Sequence, residues 1–251
     1  MINNYRTIWI SDLHLGSTQC QSDVLLNFLK YNDSETLYLV GDIIDFWSLS
    51  KKMHWPTEHN TVIQKILRKA KHGTNVIYVP GNHDENVREY DDYVFGDIIV
   101  KNTCVHTTID GKKYLVVHGD QFDNIAKYHK WIAKIGSDGY DFLLYMNRWI
   151  HAFRKVFGIH SHFSLAAYVK HKVKNLVQFI SDYEDSIVQA LKHHDVEGVI
   201  CGHIHSPDLR VMENGFVYIN TGDFVESCSA IVEHYDGQLE LIKWLKYMPI
   251  R

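Results

Sequence analysis

Thr7-Ile8-Trp9-Ile10-Ser11-Asp12-Leu13-His14 is the stretch that decides the fold. Four β-prone residues run straight into a polar turn that carries Asp and His two positions apart. The same shape recurs four times. Residues 36–40 end at Gly41-Asp42, with Asp45 three positions on, and residues 76–79 end at Pro80-Gly81-Asn82-His83-Asp84. Residues 115–117 end at His118-Gly119-Asp120, and residues 199–201 end at Gly202-His203-Ile204-His205. Short apolar runs bounded by Gly and Asp predict strands that open into loops. Between the first runs the period changes to helical. Ser22 is placed as the N-cap of a helix with Val24, Leu25, Phe28 and Leu29 on one face. Val62, Ile63, Ile66, Leu67 and Ala70 form a second stripe, which Gly73 stops. Alternating strands and helices predict a largely parallel inner sheet. Asp110-Gly111, Asn214-Gly215 and Asp236-Gly237 predict three hairpins in the later chain. The expected fold class is therefore α/β, with two facing mixed sheets and helices outside.

Composition narrows the class further. A chain of 251 residues with 45% hydrophobic and 22% charged residues is globular. Its length fits one large α/β domain or a domain with an insertion. A net charge of −4 gives no sign of nucleic-acid binding. Cys20, Cys104, Cys201 and Cys228 form no Cys-x-x-Cys pair, so a zinc finger or disulfide framework is not expected. Scattered cysteines and a polar start without a signal-peptide pattern lead to the expectation of a cytoplasmic protein. No apolar run approaches the ~18 residues of a spanning helix, so any membrane contact is expected to be peripheral. From residue 123 to residue 194 the strand pattern stops and helical periodicity with many aromatics takes over. The expected organisation is a core of residues 1–122 and 195–251 carrying a helical insertion of residues 123–194.

Taken singly, each of these motifs reads as a turn or an N-cap. Taken together, five polar motifs at strand ends place many Asp, Asn and His side chains at one sheet edge, where sites form in open α/β sheets. Asp12 and His14 share that site if the chain is still extended there. Mixed imidazole and carboxylate donors suit Mn²⁺, Fe²⁺, Zn²⁺ or Ni²⁺ better than Ca²⁺. There are more donors than one ion needs, so two divalent ions are expected, most simply Mn²⁺. Two such ions ~3.5–4 Å apart can share a bridging carboxylate and a hydroxide that attacks phosphorus. Asp42, in the middle of the motif order, is the candidate bridge.

The series Asp-x-His, Gly-Asp-x-x-Asp, Gly-Asn-His-Asp, His and Gly-His-x-His resembles the calcineurin-like metallophosphoesterases. That resemblance implies a four-layer α-β-β-α sandwich. It also implies one ion held by Asp12, His14, Asp42 and His205, and another held by Asp42, Asn82, His118 and His203. His83 would contact the phosphate or protonate the leaving oxygen, with Asp84 positioning it. Asp45 has no ligand role in that pattern and reads as a helix N-terminal charge or as an acceptor behind the ligands. A narrower likeness is carried by His118-Gly-Asp120 followed by an insertion, by residues 180–184, by Gly202-His-Ile-His-Ser-Pro207 and by Asn220-Thr-Gly-Asp223. These are similar to the UDP-2,3-diacylglucosamine pyrophosphatases of lipid A synthesis. The likeness implies a glycolipid substrate cleaved to UMP and a lipid monophosphate, and a helical cap that shelters acyl chains. One residue departs from that group, whose well-studied members carry Arg where this chain has His83. In the insertion, Arg148, Arg154, Lys170 and Lys174 are the candidate phosphate-binding cations, and the aromatics are candidates for an acyl groove or a membrane-facing surface.

Overall fold

A computed structural model describes residues 2–124, 180, 183–188, 190, 191 and 194–247. The chain divides into two compact units, Met1–Asp120 with His193–Arg251, and Gln121–Lys192.

The first unit holds two mixed sheets. The larger contains β1 (Asn3–Ile10), β2 (Asn32–Val40), β3 (Asn75–Val79), β4 (Val94–Phe95), β5 (Ile98–Val100), β11 (Ser229–Glu233) and β12 (Leu239–Lys243). Its order is β12-β11-β1-β2-β3-β5-β4, with β1, β2, β3 and β5 parallel. The smaller contains β6 (Cys104–Thr107), β7 (Lys113–Val116), β8 (Gly198–Cys201), β9 (Asp208–Val211) and β10 (Val217–Asn220), in the order β6-β7-β8-β10-β9. Strands β7, β8 and β10 are parallel, and β6 and β9 are antiparallel additions at either edge. All three expected hairpins are present, as β6–β7, β9–β10 and β11–β12.

Period-two alternation on the central strands explains the layering. Ile8, Ile10, Leu37 and Leu39 point outward into a core shared with helices α1 (Ser22–Tyr31) and α3 (Thr57–Lys71). The helices answer with Val24, Leu25, Phe28, Leu29, Val62, Ile66 and Ala70, spaced by three or four on one face. Trp9, Tyr38, Val40 and Val79 point the other way and meet Tyr114, Val116, Ile200 and Ile219 of the smaller sheet. One helix begins differently from expectation. Ser22 is the first helical residue, and the cap position falls on Gln21, which makes no side-chain cap bond. Its backbone N–H donates to the Phe224 carbonyl at 2.8 Å, so a tertiary contact fixes the chain's entry into the helix.

The expected helical cap lies largely outside the described residues, as do Arg148, Arg154, Lys170 and Lys174. Within the described part of the second unit, residues 183–188 are helical, and Tyr183, Ile187 and Leu191 are buried at every fourth position.

Candidate metal centre

Parallel strands deliver their C-terminal ends to one edge, and the motifs follow with a constant offset. Asp12, Asp42, His118 and His203 each stand two residues beyond the last residue of β1, β2, β7 and β8. The first two loops continue the strand pairing after the strands end. Asp12 N–H donates to the Gly41 carbonyl at 3.0 Å, His14 N–H to Asp42 at 2.9 Å and Leu15 N–H to Ile43 at 2.9 Å.

The backbone there is not extended, as shared access for Asp12 and His14 had seemed to require. Asp12, His14, Asp42, His203 and His205 have φ of 50°, 49°, 53°, 71° and 53°. A left-handed conformation at a non-glycine residue costs about 1–3 kcal/mol. Asp12 and His14 thus reach one site through two left-handed residues flanking Leu13, which is fully buried. The motif glycines have a second reason. A Cβ on Gly41 would collide with the His118 ring, and one on Gly202 would collide with the side chains of Asp12 and Ser11. The side chains of the site fill the space a side chain at those positions would need.

The donor atoms converge across both sheets. Asp12, His14 and His205 form one group whose ligand atoms all lie within 4.8 Å of one another, and Asp12, Asp42 and His118 form another. His205 Nε2 is 3.2 Å from Asp12 Oδ1, and His118 Nε2 is 3.5 Å from Asp42 Oδ1. His14 Nε2 is 3.8 Å from Asp42 Oδ2 and 3.4 Å from His205 Nε2. The rings of His118 and His203 meet edge to face at 5.2 Å. Asn82 sits between Gly81 and His83, and His83 N–H donates to Asp42 Oδ1 at 2.8 Å.

These groups suit a divalent cation because their mutual contacts leave acceptors facing acceptors. His118 Nδ1 donates to the Val40 carbonyl at 3.0 Å, which turns the Nε2 lone pair toward Asp42. His118 Nε2, Asp12 Oδ1 and Asn82 Oδ1 are buried and have no hydrogen-bond partner; the short approach of His205 to Asp12 is out of alignment. Each such atom costs about 1–3 kcal/mol unless something satisfies it. A proton or a cation does so. Burial alone would lower the His118 pKa, but Asp42 and Asp12 push it up to about 10. His205 is likewise pulled down by burial and pushed up to about 9, chiefly by Asp12. Burial raises the Asp12 and Asp42 carboxyls, and the facing imidazoles more than reverse this, so both lie below the usual carboxylate range. Imidazoles held as cations by buried carboxylates mark positions that metal ions can take over.

His83 stands beside this group. Its Nδ1 donates to Asp45 Oδ1 at 2.9 Å, because a carboxylate only accepts, and Nε2 lies 3.8 Å from Asp42 Oδ2. Burial lowers its pKa, and the Asp45 hydrogen bond with the Asp42 charge raises it above the ordinary imidazole value. Asp45 also lies 3.3 Å from His14 Nδ1 and caps the helix α2 (Phe46–Lys51) by accepting Ser48 N–H at 2.7 Å. One carboxylate therefore orients a candidate ligand, a candidate proton donor and a helix. Asp84 accepts backbone N–H bonds from Gly81 at 2.6 Å and Ile43 at 2.8 Å, and the Tyr78 hydroxyl. It is spent on stitching two loops together and holds the backbone that carries His83, while Asp45 holds the ring. Sequence reasoning also missed Ser11, which joins the first motif to the turn that follows β10. Its hydroxyl lies 2.6 Å from Thr221 Oγ1 and donates to the Gly222 carbonyl at 2.9 Å. The signal was present in Asn220-Thr-Gly-Asp223, but a polar turn gives no hint of its partner 210 positions away.

Comparison with known proteins identifies a family and relatives. The calcineurin-like phosphoesterase family matches residues 5–207. The UDP-2,3-diacylglucosamine hydrolase of Shewanella sp. (strain MR-7) is 25% identical over 240 residues, covering 92% of this chain and 95% of its own. The protein of that name in Histophilus somni (strain 2336) is 24% identical over 243 residues, covering 92% and 97%. Among solved structures, a novel archaeal phosphodiesterase is similar at 15% identity and a TM-score of 0.41, covering 94% of this chain and 98% of its own. Vacuolar protein sorting 29 of Cryptosporidium parvum is similar at 12% identity and a TM-score of 0.46, with 94% of both chains covered. With most of its length matched by the family and its motifs gathered at one sheet edge, the chain belongs to the calcineurin-like phosphoesterases and is a phosphoester hydrolase.

Proposed function

We propose that this chain is a dinuclear-metal enzyme that hydrolyses the pyrophosphate of a UDP-2,3-diacylglucosamine-like glycolipid to UMP and a lipid monophosphate. The observation that carries the metal part is the set of buried, unpartnered acceptors, Asp12 Oδ1, Asn82 Oδ1 and His118 Nε2, at the edge where both sheets end. Asp12, His14, Asp42 and His205 would hold one ion, and Asp42, Asn82, His118 and His203 the other. Mn²⁺ is the preferred occupant, with Fe²⁺, Zn²⁺ and Ni²⁺ also suited to these donors. When bound, two such ions supply an activated water and offset charge on the phosphoryl oxygens.

The remaining roles belong to the chain. His83, held at Nδ1 by Asp45, presents Nε2 toward Asp42, where a phosphoryl group would sit. It carries the proton that passes to the leaving oxygen as the P–O bond breaks. The two relatives' names support the glycolipid substrate. Residues 123–194 form the lid in this reading. Arg148, Arg154, Lys170 and Lys174 meet phosphate groups, and the apolar side chains shelter the acyl chains. Peripheral contact with the inner face of a membrane goes with such a substrate. Among the described residues no helix is long and apolar enough to cross one.

The test compares UDP-2,3-diacylglucosamine with UDP-sugars that lack acyl chains, in Mn²⁺. Each sheltered methylene is worth ~0.8 kcal/mol, so kcat/KM should favour the acylated substrate by orders of magnitude. Equal rates on both would leave a nucleotide pyrophosphatase or phosphodiesterase without a lipid substrate. His83, which stands in place of the Arg of the well-studied glycolipid enzymes, is the residue that favours that second reading.

A further inference from the structure

The environment of His83 includes an aromatic ring that no motif contains. Trp47, in the first turn of α2, lies with its ring 4.2 Å from the His83 ring, tilted by 33°. On another side the His14 ring meets His83 edge to face, at 4.7 Å and 89°. Below, Asp45 takes the Nδ1 hydrogen, and the His83 carbonyl accepts Phe46 N–H at 3.2 Å. The imidazole is therefore bounded by a hydrogen bond at one nitrogen, an edge contact and a tilted ring against its face. Nε2 is left directed at Asp42 Oδ2. A hydrogen bond to Nδ1 alone does not set the ring plane, because the imidazole can rock about the Nδ1–Asp45 direction within a broad χ2 well. An indole lying tilted over the face at 4.2 Å does set it, since rotating one ring against the other brings them into collision or opens a gap.

The indole keeps 44% of its surface exposed, so it is not there to fill the core. The two core clusters of the first unit do not include it.

We infer that Trp47 is a positioning residue for the reaction, fixing the plane of the His83 imidazole so that Nε2 faces the phosphoryl group. This rests on the phosphoesterase reading given above. Trp47 acts through His83, and its contribution appears in kcat because it aligns a proton donor that is used only as the bond breaks.

The test measures Trp47→Ala and Trp47→Phe in the full chain with Mn²⁺, each with His83 intact and in a His83→Ala background. The substrates are bis(4-nitrophenyl) phosphate and diphenyl phosphate. Trp47→Ala should lower kcat on diphenyl phosphate roughly tenfold with KM held within about twofold, and Trp47→Phe should restore most of the loss. The loss should be smaller on the activated nitrophenyl ester. In the His83→Ala background, Trp47→Ala should cost nothing more, because coupled residues are non-additive. The same loss in that background, or a loss confined to KM, overturns the role. A second measurement needs no activity. The ring protons of His83, observed by NMR in isotopically labelled protein, should be shifted by the indole ring current and should move in Trp47→Ala. If the ring-current shift is present and no phosphoester is cleaved, the functional reading fails and the positioning geometry stands. If the enzyme is active and the shift is absent, the positioning role fails by itself.

Discussion

Two buried polar clusters join the sheets of this chain, and they are finished in opposite ways. Around Glu233 every acceptor is used. Its Oε1 accepts from Arg6 Nη1 at 2.7 Å and Ile109 N–H at 2.9 Å, and its Oε2 accepts from Thr7 Oγ1 and from His106 Nε2, each at 2.9 Å. The other nitrogen of His106 reaches the Tyr38 hydroxyl at 3.2 Å. Arg6, Thr7, His106 and Glu233 all lie in regular strands. Around Asp12 and Asp42 the backbone turns left-handed at five non-glycine residues, and three buried polar atoms have no partner. Polar groups taken out of water for stability are paired to completion. Groups left unpaired and strained at one edge persist only where the surrounding fold over-determines them, which is the mark of a working site.

That difference breaks down if the two clusters respond alike to substitution. Asp42→Ala has the largest expected effect. As the shared carboxylate it would serve both ions, so kcat should fall by at least roughly a thousandfold. Its thermal stability without metal should fall too at neutral pH, since Asp42 faces His118 and accepts His83 N–H. Metal-free thermal unfolding and steady-state assays on the same preparation check both halves. Glu233→Gln should cost stability alone. Its carboxyl is raised by burial, but hydrogen bonds from His106, Ile109, Arg6 and Thr7 bring it down to about 2, below its ordinary 4.5. A lowered carboxylate pKa gives stability that is present above pH 4.5 and is lost as pH falls toward 2. The substitution should therefore cost about 3 kcal/mol at most at pH 7, seen in urea unfolding, and progressively less toward pH 2–3, with activity per folded molecule little changed. A Glu233 variant that is inactive while folded would make the two clusters one functional unit.

How far the sequence reveals these clusters depends on the range of the interactions. Strand ends at Ile10, Val40, Val79 and Cys201 were legible because apolar runs stop at Ser, Gly or Pro, a local signal, whereas the run to Val117 overshoots β7 by one residue. The hairpins were legible because Asp-Gly and Asn-Gly supply the positive φ that their turns require. Short strands such as β4 and β5 were not, since two or three residues carry no period. In the candidate site, the identity of the ligand-type residues could be read and their backbone could not. Five left-handed residues are dictated by tertiary closure around the site, against local preference. Asp45 could be read as a cap, and it is one. Its hold on His83, 38 positions away, depends on two loops meeting, as does the contact of Trp47 with the same ring. The bond from Ile43 N–H to Asp84, 41 positions apart, depends on the same meeting of loops.

The smallest expected effect concerns pH and places the two clusters at opposite ends of the scale. In the metal-free chain His118 and His205 are raised to about 10 and about 9 by facing carboxylates. A raised histidine pKa gives stability that is fully present below about pH 6.5 and is lost as pH climbs through the raised values. Metal-free protein should therefore lose stability as pH rises from 6 to 8.5, while the Glu233 cluster, whose window lies below pH 4.5, contributes equally throughout. Metal ligation needs neutral imidazoles, so binding Mn²⁺ must displace those protons and becomes easier as pH rises. The melting temperature gained on adding Mn²⁺ should thus widen across the same interval, by a few degrees for each ~1 kcal/mol of linked binding energy. Calorimetric titration in two buffers of different ionisation enthalpy should register proton release on binding, greater at pH 6.5 than at pH 8.5. A gain in melting temperature that is flat with pH, with no proton release, would mean that the imidazoles facing Asp12 and Asp42 are not the groups that take the metal.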